Sequence, residues 1–216
     1  MCTVRIKILL LILLLQALLS RSDAQDQSLF RGLETQVYVD SSIGISFKLP
    51  KWFSAAPSRF ERDAIDVQES GEPSFTVLAQ RFDDTLDPKI RTDIKYRGKN
   101  LDVFSRVAQQ EAFRSLMFIG ASGVAHGRID SIKEYRTASN LRVIGIFRTQ
   151  VIEAEDGSKD SNATGPVYCV DISPKRPGFL IEFDFQNLAM NLATYSSLVE
   201  AIPLSIELST KITHGD

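Results

Sequence analysis

Side chains that commonly do chemistry are scarce in this chain, with two histidines, two cysteines and one tryptophan among 216 residues. His126 lies close to Gly120-Ala121-Ser122-Gly123-Val124. A serine hydrolase sets its nucleophile in a Gly-x-Ser-x-Gly elbow after a strand, where the hydroxyl stands exposed. Here the second glycine is out of register and a helical pattern precedes the serine, so Ser122 and His126 do not form that elbow. An exported hydrolase with a dispersed active site is kept as the alternative, because base and nucleophile need only meet in space. Metal sites gather histidine, cysteine and carboxylate at set spacings, and neither H-E-x-x-H nor C-x-x-C is present. The acidic run Glu153-Ala154-Glu155-Asp156-Gly157 through Asp160 lacks the alternating ligands of a calcium loop and reads as a solvated hairpin tip. No Walker loop or G-x-G-x-x-G occurs. No catalytic residue, metal site or cofactor is assigned.

Cys169 sits in the apolar pattern Val167-Tyr168-Cys169-Val170 and reads as a buried, inert thiol. Asn162-Ala163-Thr164 fits the N-glycosylation acceptor pattern, a match that short sequences make by chance. Trp52 and Phe53 are the one binding pair that the sequence puts forward. Placed after a strand-ending proline, they fold back over the core edge, where Trp52 reads first as a lid and secondly as a stacking surface.

The start of the chain reads as an export signal. Arg5 and Lys7 precede an apolar run from Ile8 to Leu19, and small residues follow at Ser22 and Ala24. This is the layout of a secretory signal peptide cut near Ala24. Twelve helical residues rise only about 18 Å, short of the roughly 30 Å hydrocarbon core, so no permanent span is expected after cleavage. The full chain has a formal charge of −2. Losing Arg5, Lys7, Arg21 and Asp23 makes it about −4, and no Lys/Arg run stands out, which argues against a nucleic-acid binder. Cys2 leaves with the leader, so the mature chain has no internal disulfide and depends on its core.

The elements that must position these residues follow from periodicity. Ile43, Ile45, Phe47 and Leu49 alternate with Gly44, Ser46 and Lys48 before Pro50, a strand with one buried face. Ala64 to Glu69 reads as a short edge strand, and Ser74 to Phe82, apolar on both faces, as a central one. The charged, proline-broken connection from Asp83 to Lys99 reads as a solvated surface loop. A helix begins near Asn100, with Leu101, Phe104, Ala108 and Ala112 at helical spacing. Strands follow over Gly127 to Arg136 and Leu141 to Ile152, then a long hairpin loop from Glu153 to Pro166. Val167 to Ile172 and Phe179 to Phe185 form a second hairpin. Leu188, Leu192, Tyr195, Val199 and Ile202 mark a closing helix that Pro203 breaks, with a last short strand over Leu204 to Leu208.

The stretch Gly44 to Trp52, read as Gly-x-Ser-Phe-x-Leu-Pro-x-Trp, resembles the opening of Mog1/PsbP/DcrB-like superfamily domains. Gly44, Phe47, Pro50 and Trp52 carry the motif, and the order of elements from Val39 to Leu208 follows the same plan. The pattern predicts an α+β fold, a largely antiparallel sheet flanked by helices in an α/β/α sandwich. The expected organisation is a leader over 1–24, a flexible arm over 25–39, one domain over 40–209 and a frayed tail over 210–216. The resemblance implies a non-catalytic accessory or binding protein rather than an enzyme, with no active site to carry over. With the leader, it implies a periplasmic or secreted protein that meets a protein partner in the cell envelope or another exported compartment.

Overall fold

The computed structural model describes residues 30–59, 63–69, 72–81, 96–114, 119–120, 123–153, 159–185 and 192–209. The leader over 1–24 and the tail over 210–216 lie outside them, as do Ser122 and most of the 83–99 connection.

The chain opens with a hairpin. Strands β1 (Thr35–Asp40) and β2 (Ile45–Pro50) pair antiparallel, Thr35 opposite Pro50 and Asp40 opposite Ile45. The Asp40 carboxylate closes the turn by accepting from the Ser42 and Ile43 amides, each at 2.9 Å. Gly44 takes φ +76°, a left-handed backbone that a side chain would oppose. That need explains the glycine at the head of the motif. Ile45, Phe47 and Leu49 are buried, as their alternation requires.

Two expectations change here. Thr35 to Val39 is not a flexible arm but most of β1. Its alternation was unreadable because it is inverted, with Tyr38 turned inward against Phe47 at 5.4 Å while Val37 and Val39 face out. Ala64 to Glu69 is not an edge, because Phe53–Pro57, unread as a strand, pairs along its outer side.

Two sheets are built from the described residues. The small one runs β1-β2-β12, where β12 (Glu207–Leu208) adds to Ile45 and Ser46. The large one begins with β3 (Phe53–Pro57), β4 (Ala64–Glu69) and β5 (Glu72–Arg81). It continues through β11 (Phe179–Asp184), β10 (Val167–Asp171), β8 (Arg142–Glu153), β7 (Gly123–Arg136) and β6 (Ile119–Gly120). Every pairing is antiparallel. The expected loop from Glu153 to Pro166 is partly sheet: β9 (Lys159–Ala163) pairs with Thr149 to Glu153. Backbone pairing carries this extension despite its polar composition, which hid it from a hydrophobic pattern.

The large sheet is covered on both faces. Phe75, Val77, Val143, Tyr168, Val170, Ile181, Phe183 and Phe185 share one core with the inner face of the small sheet and with α2 (Leu192–Leu204). On the other face Ile144, Ile146, Val167, Cys169 and Leu180 pack against Phe104, Val107, Ala108 and Ala112 of α1 (Val103–Arg114). Two helices against a large antiparallel sheet are the expected α+β architecture, with the small sheet joining α2 on its side.

Both helix ends differ in detail. The N-cap of α1 is Asp102, whose Oδ1 accepts the Ser105 amide at 2.7 Å. Asn100 instead takes φ +53° and turns the chain two residues earlier, a conformation asparagine tolerates. Pro203 lies in the last turn of α2, which stops one residue later at Leu204.

Candidate functional site

Pro50, Lys51 and Trp52 carry the chain from the small sheet into β3 of the large one. The Lys51 amide donates to the Glu34 carbonyl at 3.0 Å, and the Gln36 side-chain amide donates to the Phe53 carbonyl. The crossing is therefore pinned from both sides, and it separates two adjacent aromatics. Phe53 is 2% exposed and packs edge-on to Phe75 at 6.1 Å. Trp52 is 45% exposed, its ring 6.1 Å from that of Phe53. A tryptophan this open is a surface residue rather than the lid expected of it.

Other apolar side chains of the small sheet are exposed as well. Val37 and Val39 are 60% and 62% exposed on the outer face of β1, an edge strand of the small sheet. Leu33, also exposed, precedes the strand at the end nearest Trp52, where Glu34 and Lys51 meet. Across the ladder Val37 faces Lys48 and Val39 faces Ser46. Exposed β-branched residues on an edge strand are a feature that folded proteins usually suppress, unless the surface is used. Of this surface the sequence identified Trp52 alone. Val37 and Val39 were missed because an outward apolar residue reads as an inward one without the register.

The α1 face holds a second concentration of functional groups. Arg148 on β8 is fully enclosed; it donates to the Ala112 carbonyl at 2.7 Å, the Gly165 carbonyl at 3.2 Å and Asp184 Oδ1 at 2.6 Å. Glu182, also buried, accepts the Gln80 amide at 2.8 Å. Burial, then the neighbouring charges of Asp184 and Glu111, push its carboxyl up to about 8, against the pull of Arg148 and Arg114. Burial likewise raises Glu111, with Arg114 opposing. The Cys169 thiol is pushed up by burial, which fits an inert packing role. At the start of α1, Arg142 donates to Asp102, Glu134 and the Ser105 hydroxyl, fastening the helix to the sheet.

Of these buried groups Arg148 ties α1 to the sheet, through the Ala112 carbonyl. Among the described residues no three metal-ligating side chains converge. No described helix is long and apolar enough to cross a membrane. The Ser122–His126 pairing lies outside the described residues, Ser122 being its missing member.

No protein-family model matches the chain, and no characterised protein matches it at the level of sequence. Its fold is nevertheless shared. The solution structure of cyanobacterial PsbP from Synechocystis sp. PCC 6803 superposes with a TM-score of 0.50 at 12% identity, covering 81% of this chain and 92% of that one. A crystal structure from Bacteroides thetaiotaomicron VPI-5482 matches at a TM-score of only 0.31 and 8% identity, over 83% of this chain and 50% of that one. The first likeness gives this protein the Mog1/PsbP-like fold that its opening motif resembles.

Proposed function

We propose that this protein is a non-catalytic, exported accessory or binding protein of the cell envelope, and that it docks a protein partner on the outer face of its small sheet. The observation that carries the reading is the exposure of Trp52 at the end of the small sheet whose edge strand also exposes Val37 and Val39. Burying a tryptophan supplies more contact area than most side chains, and interface hot spots are rich in it. Phe53 acts from behind, fixing the crossing on which Trp52 stands. The basic start and short apolar run of the leader support export. The PsbP-like fold supports an accessory role.

Affinity capture from the cells that make the protein tests this, comparing wild type with Trp52→Ala and Val37→Lys. A partner retained by wild type and lost from both variants supports docking at this face. Equal recovery with all three proteins overturns it.

A further inference from the structure

An open strand edge is a template for pairing, and folded proteins blunt it with short strands, proline, bulges or charge. Most edges here are blunted in these ways. β12 and β6 are two residues long, and β3 ends in Pro57, which has no amide to donate. β9 carries Lys159 and Asp160, and β7 has a bulge between Ile129 and Ser131 among several charged residues. The outer edge of β1 has none of these devices. Its six residues, Thr-Gln-Val-Tyr-Val-Asp, include no lysine or proline, and its ladder with β2 keeps one register throughout. The Lys51 amide donates to the Glu34 carbonyl, so by antiparallel alternation Gln36, Tyr38 and Asp40 also bond to β2. Thr35, Val37 and Val39 therefore turn their amides and carbonyls outward. The residues across from them agree. Pro50, opposite Thr35, has no amide, and the Lys48 amide, opposite Val37, donates to Ser205 Oγ at 2.9 Å on the far side of β2. Among the described residues none meets the outward groups of Thr35, Val37 and Val39.

We propose that this edge pairs with the same edge of a second copy, antiparallel about a two-fold axis through Val37, so that two small sheets join into one. A two-fold interface uses one patch twice, and the edge of β1 matches itself in this register. Val37 faces the partner's Val37, Thr35 faces the partner's Val39, and every outward amide meets an outward carbonyl. Each cross-strand pair on the exposed face is then β-branched, a kind that packs well on a pleated surface. Charge does not oppose the contact. No charged side chain lies between Glu34 and Asp40; Glu34 is held by Lys51 at 3.0 Å, and Asp40 by the amides of its own turn. Self-pairing goes beyond the docking of a partner on the outer face, because it takes up backbone groups at the edge and leaves Trp52 free.

Sedimentation of the full chain over about two decades of concentration tests this, with amide hydrogen exchange on the same samples. The wild type should move toward twice the mass of one chain as concentration rises. In step with it the Thr35, Val37 and Val39 amides should gain protection several-fold, while the Gln36 and Tyr38 amides, bonded to β2, are protected throughout. Val37→Pro removes an outward amide without touching the ladder to β2. Val37→Lys keeps that amide and sets two like charges against each other on the axis. Both variants should stay single, and Trp52→Ala should pair as the wild type does. A wild type that stays single at every concentration, pairing that survives in both Val37 variants, or pairing without protection of the three outward amides overturns the proposal. Loss of pairing in Trp52→Ala overturns it too, since the contact would then lie on the face and not along the edge.

Discussion

Trp52 and Phe53 are neighbours in sequence with opposite environments, so paired alanine substitutions separate a surface residue from a core one. Phe53 is 2% exposed and wedged against Phe75. Phe53→Ala removes a buried ring and leaves a cavity, a loss of about 3–5 kcal/mol. Trp52 is 45% exposed. With roughly 100 Å² of its ring and stem covered, at about 25 cal/mol per Å², its removal costs at most about 2.5 kcal/mol. For a domain of this size each kcal/mol moves Tm by roughly 2–4 °C. Phe53→Ala should then melt about 6–20 °C below wild type, and Trp52→Ala no more than about 10 °C below. Urea unfolding gives the same comparison through the midpoint, provided the slope is unchanged. A Trp52→Ala protein as destabilised as Phe53→Ala would make Trp52 part of the core, and the case for a docking face would lose its anchor.

Three further outcomes follow from the described contacts. Arg148→Met takes the buried donor away from Asp184 and two backbone carbonyls and should cost about 3–5 kcal/mol in urea unfolding, with part of the loss recovered by adding Asp184→Leu. Gly145→Ala would bring a Cβ to 2.7 Å from Tyr168 Cε1 and 3.2 Å from Tyr135 Cε2, so overpacking should cost about 1–3 kcal/mol, read as a lower urea midpoint. The hydrogen bond from Arg142 holds Glu134 below the ordinary glutamate range. The stability it contributes is present above that range and lost as pH falls through the lowered value, so Arg142→Met should flatten the acid limb of a Tm–pH profile below about pH 4.5.

Most of the large sheet was legible because its strands carry apolar residues where the core needs them. Val143 and Phe147 alternate with Ile144 and Ile146, and the two sets pack into different cores, as the pattern of a doubly covered strand requires. What escaped notice was held by other forces. Polar β9 exists through backbone pairing, and β3 through its ladder with β4, where Ser54, Ala55 and Ala56 give little hydrophobic signal. On β1 the exposed valines inverted the usual pattern. Within the candidate site Trp52 was legible as a lone tryptophan after a proline, but its exposure depends on how the chain crosses between sheets. Arg148 and Glu182 are charges in largely apolar strands. Their even-numbered register with Ile144, Ile146 and Leu180 turns them inward beneath α1.

Docking through the small sheet is tested most directly by a photo-reactive amino acid placed at Trp52 in the full chain, expressed in its own cells, with Ala138 in the β7–β8 turn as an exposed control. The docking face predicts one discrete cross-linked protein adduct from position 52, displaced by excess unlabelled wild type and absent from position 138. Identical adducts from both positions, or none from position 52, would contradict it.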